Sequence, residues 1–154
     1  LDAFTYLYPL ADSAMIRKME GAEITLERLE YVRRAMKHGA LHNQVFTAFL
    51  GTSSREDFIV YLADFFLQLE DVKWTVVAGV VNDTLIVSVR NLGYTRNAGE
   101  FVRQSFADIG SAGGHRSMAK ALLPLKNFRE KFGNLDDAQV PQTLHQLIKT
   151  FLKD

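Results

Sequence analysis

Residues Trp74 to Val81 are almost all apolar, a run that suits a β-strand covered on both faces. Asn82-Asp83 follows as a short turn. From Asp83 to Asn91 the pattern changes to alternation: Leu85, Val87 and Val89 point one way, and Ile86, Ser88 and Arg90 the other. Together the segments predict an antiparallel hairpin with one strand deep in a sheet. A sheet buried on both sides needs helices on both sides, and the rest of the chain supplies amphipathic ones.

Before the hairpin, Phe4, Leu7, Tyr8, Ala11, Met15 and Met19 recur at helical spacing, interrupted at Pro9. Thr25 starts a clearer helix, with Glu27 and Glu30 early, Arg33, Arg34 and Lys37 late, and Gly39 as a C-terminal cap. Its apolar stripe is Leu26, Leu29, Val32 and Met36. Gln44 to Leu50 reads as a strand. Ser53 and Glu56 have capping-box spacing for a helix to about Glu70, with Phe58, Ile59, Leu62, Phe65, Phe66 and Leu69 as its buried stripe. After the hairpin, Asn91 to Arg96 is a polar loop. Asn97 and Glu100 then open a helix through Phe106, with Arg103 on its solvated side. Lys126 to Lys131 is a short helix stopped by Gly133. Leu144, Leu147, Ile148 and Phe151 mark a terminal amphipathic helix with His145 beside the stripe. The predicted class is α/β, a mixed β-sheet with helices packed on it and preceded by connector helices.

Composition removes several function classes. The chain has 154 residues, enough for one domain, with 47% hydrophobic residues and eleven phenylalanines to fill a core. Lys+Arg and Asp+Glu balance at 18 each, so no global basic field exists to hold long duplex DNA, and a small phosphorylated ligand held locally fits better. There is no cysteine, which excludes disulfides, thiol nucleophiles and cysteine-zinc sites and suits a cytoplasmic protein. The histidines are His38, His42, His115 and His145; Gly39 separates the first two, so a shared helical face is not expected. No His-Glu-x-x-His, calcium-loop or Walker pattern is present. No apolar run approaches the roughly 18–20 residues that span a bilayer.

Two segments carry candidate chemistry. Ser88 and Arg90 share a strand face, and an arginine near a strand end with a serine two positions before it suits an oxyanion or carboxylate clamp. An arginine on a solvated edge is the alternative. The second segment is Gly110-Ser111-Ala112-Gly113-Gly114-His115-Arg116. Glycines let an anion approach the backbone closely, and their N–H groups can point at a phosphate; a flexible loop with a surface histidine is the bland reading. The pattern after the glycines is helix-compatible, which puts His115 and Arg116 at a helix start, where the dipole also attracts anions. Ala119 to Leu125 reads as a last strand, with Pro124 near its end. Tyr94, Arg96 and Asn97 lie within reach of such a site, though helix capping accounts for Asn97.

Ser88-Val89-Arg90, followed further along by Gly113-Gly114-His115 and a small-residue run ending near Ala121, resembles the DHH-associated domain. That domain is the substrate-binding C-terminal part of DHH-family phosphoesterases, which include RecJ-like exonucleases, small-oligoribonucleotide and phosphoadenosine phosphatases, and exopolyphosphatase-related proteins. The resemblance is strong across 74–125 and carries no signature over 1–69. Ala112 stands where many members have a further glycine, and Met118-Ala119-Lys120 where Ala-Ala-Gly is common, which alters the cradle and the packing behind it.

The resemblance implies that 1–40 are connector helices at the end of a catalytic domain, and that 41–154 are the substrate-binding domain with a C-terminal helix. The connector stripe then faces the catalytic domain or, alternatively, packs on this domain's own sheet. Ser88, Arg90, Gly113, Gly114, His115 and Arg116 are implied to hold the phosphate of a nucleotide or short single-stranded oligonucleotide, with Arg116 pairing to a second phosphate or to Asp108. Hydrolysis with a two-metal site, usually manganese (Mn2+), belongs to a catalytic domain bearing Asp-His-His, a motif this sequence lacks. The chain begins at Leu1 within an apparent helix and reads as a fragment, inactive by itself. Two other classes remain open. One is a tRNA-binding module like the related domain that ends alanyl-tRNA synthetases, although His115-Arg116-Ser117 fits it poorly. The other is a structural module that forms a homodimer.

Overall fold

A computed structural model describes residues 25–52, 55–93 and 96–153. They divide into two compact units, Leu1–Glu30 and Tyr31–Asp154. In the first, the Thr25 Oγ1 accepts a hydrogen bond from the Arg28 N–H at 3.1 Å, the N-cap predicted for helix α1 (Leu26–His38). The helix expected over Phe4 to Met19 lies outside the described residues.

In the second unit the predicted hairpin forms the middle of a six-stranded mixed sheet. Its strands are β1 (Ala40–His42), β2 (Val45–Phe49), β3 (Trp74–Val81), β4 (Thr84–Asn91), β5 (Ser111–Gly114) and β6 (Met118–Pro124), in the order β1-β2-β3-β4-β6-β5. Only β2 and β3 run parallel, joined through helix α2 (Glu56–Leu67). The hairpin pairs from Trp74 opposite Asn91 to Val81 opposite Thr84, and Asn82 takes the left-handed angle (φ 57°) that a tight turn requires. Helices α3 (Ala98–Phe106), α4 (Leu125–Phe132) and α5 (Gln139–Lys153) complete the unit.

Each face of the sheet has its own core. On one, Val76, Ala78, Leu85, Val87 and Val89 meet Phe101, Phe106, Phe128, Ile148 and Phe151 from α3, α4 and α5. Trp74 and Phe101 pack edge-on there, with ring centroids 6.3 Å apart. On the other, Phe46, Ala48, Val77 and Ile86 meet Tyr31 and Ala35 of α1 and Phe58, Ile59, Leu62 and Phe66 of α2. This second layer does not reach across β6. There Ala119, Ala121 and Leu123 are buried under the first layer, while Met118 and Leu122 on the other side are 50% and 39% exposed. The sheet therefore keeps one half-face open beside α2.

Several elements differ from expectation. The predicted α1 stripe is largely exposed at Leu26 (87%), Leu29 (50%) and Met36 (63%); within the second unit the helix buries Tyr31 and Ala35 instead, a pair one turn apart. Stacking of Tyr31 on Phe58, with centroids 4.5 Å apart, explains that choice of face. Helix α2 is preceded by Arg55, whose side chain makes no capping bond, and stops at Leu67; Ser53 of the expected capping box lies outside the described residues. Leu69 is exposed accordingly. Strand β1 was not predicted: its three residues are all exposed, and it forms by pairing with β2 across a turn in which Asn43 and Gln44 have positive φ.

Candidate functional site

Strand register gathers most of the predicted residues. Val77, Ser88, Lys120 and Gly113 form one row across β3, β4, β6 and β5; Thr75, Arg90 and Met118 form the next. Directly opposed residues share a face, and this face is the open one beside α2. Ser88, Arg90, Gly113, Gly114, His115, Met118, Ala119 and Lys120 line a cavity of about 220 Å³ there with Val60 of α2.

Arg90 is 8% exposed, so its charge needs partners. Its Nε donates to Asp64 Oδ1 at 2.9 Å, and its Nη1 donates to Ser88 Oγ at 3.2 Å and to the Val89 carbonyl at 3.0 Å. Among the described residues Nη2 has none. The guanidinium is thus held from one side by helix and strand while one nitrogen remains for a ligand. Ser88 acts first as an acceptor that orients Arg90, which leaves its hydroxyl proton available. Asp64 and Lys120 were not anticipated. Nothing in the α2 sequence singles out Asp64, although a buried arginine demands a carboxylate nearby. Lys120 alternates with Ala119 and Ala121, and that period placed it on the open face. It pairs with Glu56 at the start of α2, so two α2 carboxylates hold the two cations that line the cavity.

No helix begins at His115. The chain runs from β5 through an exposed turn into β6, and the His115 N–H donates to the Met118 carbonyl at 2.7 Å. Consecutive glycines disfavour a helix, and the period of Ala119, Ala121 and Leu123 is that of a strand. The N-terminus of α3 docks on this turn instead: Ala98 N–H donates to the Arg116 carbonyl at 2.8 Å and Gly99 N–H to the His115 carbonyl at 2.9 Å. These bonds satisfy the helix's first free donors. The helix-dipole contribution expected at His115 and Arg116 is therefore absent.

The two glycines play different parts. A Cβ on Gly113 would meet nothing within 4 Å, so its bareness leaves the cavity open. Gly114 has φ +154°, and a Cβ there would lie 2.4 Å from both the Ala119 Cα and the Met118 carbonyl oxygen. Its bareness is needed for the fold.

Arg116 is exposed, lies outside the cavity lining, and donates from Nη1 to the Gly93 carbonyl at 3.4 Å. The expected pairing with Asp108 does not occur. Lys131 Nζ reaches both Asp108 oxygens at 2.8 Å, and that hydrogen bond holds the carboxyl below its usual range. Asn97 caps α3, accepting from Glu100 N–H at 3.0 Å, and Arg96 stacks over Phe151 at 4.2 Å. Tyr94 lies outside the described residues. Sequence reasoning missed Asn91, a buried residue directly after Arg90. Its Nδ2 donates to the Arg96 and Arg116 carbonyls, each at 3.0 Å, tying the loop after β4 to the turn after β5.

His38 closes α1 and His42 lies on β1, so they share no helix face. His42 meets His145 of α5 edge-on, with ring centroids 5.1 Å apart. The His145 Nδ1 is buried with no hydrogen-bond partner among the described residues. Desolvation first, then His42 and Lys149, lower its pKa. Below about pH 6.5 the unfolded chain binds a proton that the native His145 resists, so stability falls as pH drops through that value. We expect His145→Gln to flatten this acid-side loss in thermal denaturation measured between pH 7.5 and 5.

Among the described residues, no group of three or more His, Cys, Asp or Glu converges to hold a metal ion, so they do not fit a two-metal centre. None of the described helices is long and apolar enough to cross a membrane.

No family model matches the chain. An uncharacterised protein of Methanocaldococcus jannaschii is 30% identical over 129 residues, covering 83% of this chain but 26% of the relative, so the chain spans about a quarter of that protein. Among solved structures, an exopolyphosphatase-related protein from Bacteroides fragilis superposes with TM-score 0.65 at 11% identity, over 91% of this chain and 39% of that one. The C-Ala domain of Aquifex aeolicus alanyl-tRNA synthetase superposes with TM-score 0.50 at 14% identity, over 69% of this chain and 92% of that one. The second unit is an α/β domain with an open sheet face. Its fold is that of the DHH-associated C-terminal domain.

Proposed function

We propose that this chain is the substrate-binding part of a DHH-type phosphoesterase, holding the phosphate of a nucleotide or short single-stranded oligonucleotide in the Arg90 cavity. The carrying observation is the buried Arg90, fixed by Asp64, Ser88 and the Val89 carbonyl, with one nitrogen that has no partner among the described residues. His115 and Lys120 supply further donors on the cavity wall, and Gly113 supplies the room. Binding exchanges the Glu56 partner of Lys120 for the incoming anion. Bond cleavage with manganese is assigned to a separate catalytic domain, and this chain's residues bind and orient.

Calorimetric titration with adenosine monophosphate, a 3′,5′-bisphosphate and a short single-stranded oligonucleotide tests the reading and identifies the ligand class. Saturable binding of at least one supports it; a preference for tRNA over all three assigns the domain to tRNA instead. Concentration-dependent sedimentation with no ligand response assigns it to dimerisation. Lys120→Gln separates binding from folding. An exposed ion pair contributes about 0–1 kcal/mol, so thermal stability changes little. Loss of a charge-assisted bond to the phosphate costs about 1.5–3 kcal/mol, so affinity falls about tenfold or more.

A further inference from the structure

The β1 edge of the sheet, the edge away from the Arg90 cavity, carries a histidine pair that the proposed function does not use. Val45 and Phe49 of β2 face the first core. His42 pairs with Val45 and Ala40 with Thr47, so both β1 residues lie on the side that α5 covers. On α5, His145 follows the buried Leu144 and flanks the stripe that Leu144, Ile148 and Phe151 press into that core. Strand register and helical period therefore bring His42 and His145 together, with ring centroids 5.1 Å apart and planes at 76°. A cavity of about 340 Å³ opens beside His145, lined also by His38, Ala40, Pro141, Gln142 and Gln146.

Two observations give the pair a chemistry. The first is its spacing. Neutral imidazole nitrogens are good ligands for zinc and the neighbouring late divalent metals. Two imidazoles on one tetrahedral ion, each with its nitrogen about 2.0–2.1 Å from the metal and its ring centre about 1.2 Å behind, have centres about 5.2 Å apart. The His42 and His145 rings stand at that separation. The second is His145 Nδ1, which is shielded from solvent and has no partner among the described residues. A buried nitrogen of that kind calls for a bound water or ion. We propose that His42 and His145 bind a late first-row divalent cation such as zinc, which pins α5 to the edge strand. No third His, Cys, Asp or Glu joins them among the described residues, so water from the cavity fills the remaining positions and the site is an open one. Lys149, one turn beyond His145 on α5, adds positive charge and moderates the affinity.

Titration of the whole chain with zinc chloride, followed by histidine side-chain and amide NMR shifts, tests this. The expected result is saturable shifts at the His42 and His145 rings and at the Ala40–Asn43 amides. Magnesium, which prefers oxygen ligands, should give no such response. His42 is exposed, so His42→Ala should still fold. Its zinc affinity should fall by at least about tenfold, since loss of even an outer-shell partner of a metal ligand costs roughly 10–100-fold. Zinc should raise the melting temperature of the wild type and not of His42→Ala, because an ion that binds only the folded chain stabilises it. Lys149→Gln should tighten binding, and His115→Ala should leave it unchanged. Lys149→Gln removes no ligand, so it decides the matter even if His42→Ala fails to fold. Shifts that do not saturate, an affinity that neither change at the pair alters, or loss of binding in His115→Ala overturns the proposal. The pair shares no residue with the Arg90 cavity, so failure here is distinct from failure there.

Discussion

Arg90→Ala will weaken binding of adenosine monophosphate or a short oligonucleotide by about ten- to a hundredfold, the loss expected for a charged hydrogen bond of about 1.5–3 kcal/mol. Calorimetry on both proteins measures it. The same change removes the donor to Ser88 Oγ and the Val89 carbonyl, so we expect a stability loss of about 1–3 kcal/mol in denaturant unfolding as well. Asp64 is half exposed at its side chain and can return to water, so the loss stays at that level. Arg90→Lys separates the effects. It keeps the charge but lacks the planar fork that serves Asp64, Ser88 and a ligand together, and should recover part of the affinity only. Wild-type affinity in Arg90→Ala for every phosphorylated ligand would remove the clamp from the account.

The neighbouring glycines give the second large effect, and opposite results are expected from the same substitution. Gly114→Ala places a methyl 2.4 Å from the Ala119 Cα and the Met118 carbonyl, at a φ of +154° that side chains rarely adopt. Backbone strain of about 1–3 kcal/mol and overpacking of a similar size make a loss of about 3 kcal/mol the expected outcome. The β5–β6 pairing should loosen first. Gly113→Ala meets nothing within 4 Å and should fold with near-native stability. Its methyl enters the cavity, so phosphate affinity should fall while the melting curve does not move. Equal destabilisation by both would mean that Gly113 is structural and that the cavity is not a designed opening.

The hairpin was legible because two residue periods met at Asn82-Asp83, and such local signals also gave the α3 cap at Asn97 and the face shared by Ser88 and Arg90. The glycine run was legible in composition and misread in conformation at its end. Its helix-like spacing came from small residues that fit either geometry, and the strand alternation of Ala119, Ala121 and Leu123 decided the matter through burial under α3 and α4. Helix α1 shows the same limit. Leu26, Leu29 and Met36 are the more hydrophobic stripe, yet Tyr31 and Ala35 are buried because Phe58 offers a stacking partner that local sequence cannot reveal. Asp64 and the pairing of Lys120 with Glu56 escaped notice because they rest on long-range contacts between different elements, Asp64 with Arg90 and Lys120 with Glu56. Arg116 was placed in the site by adjacency to His115, but the turn points its chain to Gly93 instead.

The most direct measurement is a crystal structure of the chain with adenosine monophosphate bound. The account predicts the phosphate within hydrogen-bond reach of Arg90 Nη2, with His115 and Lys120 around it and Lys120 released from Glu56. A phosphate seated elsewhere, with Arg90 and Lys120 still holding only Asp64 and Glu56, would contradict it.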